Sequence, residues 1–248
     1  MASISETGHA QNVANLETLI SSFTAFGTSY NPSNNSITLT ALQSLLSDAK
    51  KSLSDVNIAF STYTIATTDR SNAFKPFSKL VTRVNNALKA SDTNKRLDES
   101  AQAIVRKLQG TRASAKLTDV EKASLEAQGK STTQISTSQM SFDNKLENFD
   151  KLIALLASVP NYNPNEVDLK IDTLKALYAD LKAKNAAVAS AEVTLSNARI
   201  ARNALMYTPN SGLVDRALNA KMYVKSVFGT SSPYFKQISK LPFKSYKF

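Results

Sequence analysis

The triplet Tyr30-Asn31-Pro32 returns as Tyr162-Asn163-Pro164, and the pattern around it returns with it. Ahead of the triplet, Asn15, Leu16, Leu19 and Ile20 match Asn148, Phe149, Leu152 and Ile153. Beyond it, Ile37, Leu39, Leu42, Leu45, Val56, Ala59, Ala66 and Arg70 match Leu169, Ile171, Leu174, Leu177, Val188, Ala191, Ala198 and Arg202. Pro76 then pairs with Pro209, and Leu80-Val81-Thr82-Arg83 with Leu213-Val214-Asp215-Arg216. Apolar positions of any two amphipathic helices align readily, but prolines at two separate breaks do not. Breakers and core positions recurring in one order point to a duplicated supersecondary unit. Two copies are fewer than a solenoid needs, so two packed bundles are expected rather than an array.

The spacing inside each copy predicts helices. Val13, Leu16, Ile20 and Phe23 mark a first helix that starts near Glu6 to His9 and ends at Gly27; Leu146, Phe149, Ile153 and Leu156 mark its counterpart, stopped by Pro160. A second, longer helix over about 38–72 carries a three-four seam of Leu39, Leu42, Leu46, Ala49, Leu53, Val56, Phe60 and Tyr63. In the other copy the seam is Ile171, Leu174, Tyr178, Leu181, Asn185, Val188, Glu192 and Leu195. An Asn in such a seam either fixes register or sits in solvent. Pro76 and Pro209 each suit the first turn of a third helix. The fold class is therefore all-α: two tandem three-helix repeats forming elongated antiparallel helical bundles, joined by a helical insert. The expected boundaries are 1–91 for repeat 1, 92–139 for the insert, 140–228 for repeat 2 and 229–248 for a basic aromatic tail. Within the insert, Leu97, Ala101, Ile104, Val105 and Leu108 mark a helix ending at Gly110. Thr118-Asp119-Val120-Glu121 has the form of a capping box, and Gly129 to Ser138 is polar, either a loop or the start of the next helix.

Chemistry is scarce. The chain has no cysteine and a single histidine, which excludes disulfides, thiolate metal sites and a paired Glu-x-x-His di-iron centre. His9 reads as a solvent-facing residue of the first helical turn. Phosphate loops, nucleophile elbows and dinucleotide fingerprints are all missing, so no catalytic, cofactor-binding or metal residue is assigned, no cofactor is expected and the chain reads as a non-enzyme. The opening segment lacks the apolar core of a signal peptide and no apolar run is long enough to span a bilayer, so a cytoplasmic protein is expected.

The net charge of +10 is unevenly placed: residues 71–139 carry 12 Lys and Arg against 6 Asp and Glu, and residues 208–248 carry 7 against 1. The best interaction element is the tail, where Lys236, Lys240, Lys244 and Lys247 interleave with Tyr234, Phe235, Phe243, Tyr246 and Phe248. Such a tail either lays its aromatics across a groove of the bundle with its lysines outward, or stacks on bases and contacts phosphates. The leading expectation is a helical interaction or structural protein with a protein partner or self-association; the alternative is sequence-independent binding of nucleic acid through the middle and the tail. A membrane-active helical toxin would need only the amphipathic helices.

Glu6-Thr7-Gly8-His9-Ala10, Asn12-Val13-Ala14-Asn15, the Tyr30-Asn31-Pro32 turn, Ser231-Ser232-Pro233-Tyr234 and Lys236-Gln237-Ile238 resemble an uncharacterised family of basic all-helical bacterial proteins with no assigned activity. The resemblance covers both ends and the first repeat. It implies a stand-alone bacterial protein and carries over no catalytic or binding residue.

Overall fold

The computed structural model describes residues 7–111, 118–129 and 140–246, and among them all regular structure is helical. The α-helices are α1 (Thr7–Phe26), α2 (Leu39–Phe74), α3 (Phe77–Lys89), α4 (Lys95–Gln109), α5 (Asp119–Ala127), α6 (Phe142–Ala157), α7 (Ile171–Tyr207), α8 (Leu213–Phe228) and α9 (Pro233–Ser239). No helix among the described residues is long and apolar enough to cross a membrane.

The punctuation read from the sequence recurs in the caps. Thr118 and Glu121 form a reciprocal capping box at α5, and Gly110 closes α4 in the left-handed conformation at φ 68°. Lys247 and the polar run after Gly129 lie outside the described residues. Pro76 is the N-cap of α3, one residue ahead of the first turn expected for it, and Pro209 stands further off, since α8 begins only at Leu213. Asn210 at φ 64° turns the chain there, and Gly212, whose added β-carbon would stand 2.8 Å from the Met206 carbonyl oxygen, lets the turn close before a helix can start.

The seam of α2 is buried at Leu42, Ala49 and Val56, but then shifts to Ala59 and leaves Phe60 52% exposed. A straight helix has 3.6 residues per turn, so a strict 3.5-residue pattern drifts off the contact face as it lengthens. The hydroxyls of Ser61, Thr62 and Thr64 bond back to the carbonyls four residues earlier, so these polar groups are satisfied within α2.

The chain forms two compact units. Unit 1 comprises residues 1–64 and 191–248, and unit 2 comprises residues 65–190, so each draws on both sequence halves. The borders fall inside α2 and α7. In unit 1, α1 packs against α8, around Leu16, Leu19, Phe23, Leu42, Met206, Leu213 and Val224. In unit 2, α4 packs on α3 and α6, around Val81, Leu88, Leu108, Phe149, Leu152 and Leu174. Phe77 of α3 meets Phe149 of α6 edge to face at 4.9 Å. Asn185, half-buried on α7, accepts from Arg70 at 2.9 Å and donates to Asp143 at 2.7 Å, tying three helices of unit 2. Arg70 also lies 4.1 Å over the Phe142 ring.

Each Tyr-Asn-Pro turn is closed from within. The buried Tyr30 hydroxyl donates to the Ile37 carbonyl at 2.6 Å, and the buried Tyr162 hydroxyl donates to the Leu169 carbonyl at 2.9 Å. Each bond spans seven residues and clamps a short 3-10 turn, Asn35–Ile37 or Val167–Leu169, that leads into a long helix. Burial, and then Tyr223, raises the Tyr30 pKa; burial, and then Glu166, pushes that of Tyr162 up to about 12. A folded-state pKa above the unfolded one gives stability that is complete below the unfolded value and lost as pH rises through the folded one. Urea titrations should therefore show stability falling from about pH 10 upward. Tyr162→Phe should weaken that dependence and cost about 1–3 kcal/mol at neutral pH, because the Leu169 carbonyl loses its partner.

Candidate functional site: the C-terminal segment on unit 1

The apolar stripe of α1 buries Val13, Leu16, Leu19 and Phe23. Asn12 and Asn15, three residues apart and so on one flank of that stripe, are 2% and 5% exposed. A buried amide must find partners, and these find them in the main chain of the tail. The Asn12 amide donates to the Lys244 carbonyl at 2.8 Å and its oxygen accepts from the Lys244 N–H at 3.1 Å, a two-point contact of the kind one strand makes with another. Asn15 donates to the Pro242 carbonyl at 2.6 Å and accepts from Gln11 at 2.9 Å. From α8, Lys221 donates to the Ser239 carbonyl at 3.1 Å and the Leu241 carbonyl at 2.8 Å, which serves the open end of α9. Burial lowers the pKa of this lysine.

Side chains of the tail complete the contact. Ile238 is fully buried, and Phe235, Leu241 and Phe243 pack against the unit 1 core. Tyr234 stands edge-on to Phe26 at 5.0 Å and tilted to Phe228 at 4.8 Å. Tyr246 reaches α1 and α7, with its ring centroid 5.4 Å from His9 and 5.8 Å from Tyr207. A β-carbon on Gly8 would occupy the place of the Tyr246 hydroxyl, so the absence of a side chain at Gly8 makes room for that ring.

Of the residues singled out in the sequence, Phe235, Phe243 and Tyr246 turn toward the bundle, Tyr234 touches Phe26 and Phe228 but stays 47% exposed, and Lys236, Lys240 and Lys244 are exposed. The segment is not wholly extended: α9 occupies its middle, with Pro233 in the first turn under a Ser232 cap. His9 is not solvent-facing. It is 4% exposed, its Nδ1 lies 2.6 Å from the Tyr207 hydroxyl, and the covering tail is what removes it from water.

Sequence reasoning passed over His9, Asn12, Asn15, Tyr207 and Lys221 as contributors to this site. The available signal was the match of Asn15 with Asn148 among core positions, since an Asn aligned with an apolar face marks a buried amide in need of partners. A second recess of about 510 Å³, in unit 2, is lined by Arg83, Asn86, Ser91, Asn163, Asn165 and Glu166, but its guanidinium is already paired with Asp168. No family model, curated protein or solved structure matches this chain.

Gly8→Ala should displace the Tyr246 ring while leaving the fold intact. Cleavage after Lys240 and Lys244 by dilute trypsin, followed by mass spectrometry, should quicken several-fold, with a melting temperature within a few degrees of the parent because the ring contacts are worth about 0.5–1.5 kcal/mol.

Proposed function

We propose that this is a non-enzymatic helical-bundle protein of the bacterial cytoplasm, built from a duplicated helical unit, that acts by associating with other chains, first of all with copies of itself. The equivalent tyrosine clamps support the duplicated origin. The observation that carries the association is a set of outward apolar residues at seven-residue spacing on both long helices. Ile58 and Ile65 of α2 are 63% and 62% exposed, and Val193 and Ile200 of α7 are 60% and 63% exposed. Single exposed apolar side chains are ordinary, but pairs repeated every seven residues form a stripe suited to a like stripe on another helix. Sedimentation equilibrium should give an average mass that rises with concentration for the parent chain. Ile58→Lys with Ile65→Lys, kept cold and never warmed so that the C-terminal segment stays docked, should remain at the monomer mass with unchanged helical circular dichroism. Equal behaviour of the two proteins would remove this face from the reading.

A second reading, sequence-independent contact with nucleic acid, is favoured by the outward lysines Lys236, Lys240 and Lys244 on the docked segment. It is chiefly a phosphate-contacting mode, because Phe235 and Phe243 are engaged with the core and only Tyr234, 47% exposed, keeps an open ring. Anisotropy of a labelled single-stranded oligonucleotide should then weaken with salt. Changing the three lysines to Glu should lower the log–log salt slope by about 2, at roughly 0.7 per phosphate contact.

A further inference from the structure

The hydrogen bonds that fix the tail run from side chains of α1 and α8 to the tail's main chain. None of them depends on which chain supplies the segment. The donors and acceptors on the receiving side, Asn12, Asn15 and Lys221, sit on helices with their own core contacts, so the track is built into unit 1. The segment leaves α8 through Gly229 at φ 77° and ψ 163°, followed by Thr230, Ser231 and Ser232 before α9 begins. A glycine passes between backbone regions at little cost, and only these few residues need to turn for α9 and the run after it to swing away as a block.

We propose that the track between α1 and α8 is a binding site for a short helix followed by an extended run, and that its exchange partner is residues 230–246 of a second copy of this chain. The occupant follows from fit. The sequence whose fit is on view has a buried isoleucine at 238, apolar groups at 241 and 243, and an aromatic ring at 246, with the Pro242 carbonyl and both the carbonyl and N–H of Lys244 meeting the two asparagines. A second copy offers that same pattern, and two copies that trade segments keep every bond of the closed form. The exchange needs no contact at Ile58 or Ile65, so either association can fail without the other.

Two full-length variants test it. Phe243→Ala with Tyr246→Ala weakens the segment and leaves the track whole; Asn12→Ala with Asn15→Ala breaks the track and leaves the segment whole. Each alone should be a monomer by light scattering in the Ile58→Lys, Ile65→Lys background. Mixed, they should give a complex of twice the mass. Two results overturn the proposal: no complex on mixing, or a complex that persists when the first variant also carries Asn12→Ala and Asn15→Ala. If a variant loses its helical circular dichroism, the parent chain in the same Ile58→Lys, Ile65→Lys background decides. Natural and ¹⁵N-labelled pools, warmed together below the melting point and examined by native mass spectrometry, should yield dimers of mixed mass that are suppressed by an excess of synthetic peptide of residues 230–246, which takes the same track. Monomers alone, or dimers indifferent to that peptide, would refute the exchange.

Discussion

The length of α2 and α7 decides how the chain buries its apolar residues. At 1.5 Å per residue, the 36 residues of α2 rise about 54 Å, more than any side chain can bridge. The helices before and after it in sequence therefore find different neighbours. Helix α1 packs with α8, and α3 meets α6 through Phe77 and Phe149 with α4 packed on both, so α1 and α3 each meet a helix of the other sequence half. Neither half has a complete core of its own. This is also why the compact units do not coincide with the segments 1–91 and 140–228 that repetition in the sequence marks out.

The helices themselves were legible because each carries local marks: the three-four spacing of α1, the Gly110 stop of α4, the Thr118 and Glu121 box of α5. The partnering was not, since spacing tells which face of a helix is apolar and not which helix will cover it. Phe60 shows the same limit at residue scale, for its place in the three-four pattern was right and the drift of a straight helix moved the contact to Ala59. In the tail, alternation of lysine and aromatic marked the segment as an interaction element but left open whether the rings lie on the bundle or face outward. Asn12 and Asn15, which receive the tail, were hidden because their partners are main-chain atoms more than two hundred positions away.

The two segments that the sequence halves do not share turn out to stand in matching places. Helix α4 follows α3 and covers α6; α9 and the run after it follow α8 and cover α1. The linings differ. In unit 2, Phe74 at the end of α2 and Phe142 at the start of α6 meet edge to face at 4.9 Å, whereas the aligned positions in unit 1 hold Tyr207 and His9, joined through the hydroxyl and Nδ1. A buried polar pair costs more to desolvate than two phenyl rings, and it holds its place only while something keeps water out. In unit 1 that cover includes Tyr246, seated against Gly8.

Recognition through Asn12 and Asn15 reads peptide groups rather than side chains. Only Ile238, Leu241, Phe243 and Tyr246 must suit the surface beneath them, and Lys236, Lys240 and Lys244 contribute nothing that another residue would fail to supply to the docking itself. Their identity is therefore open to be set by whatever the outer side of the segment meets, and the charge displayed by unit 1 can be rewritten without loosening the fold.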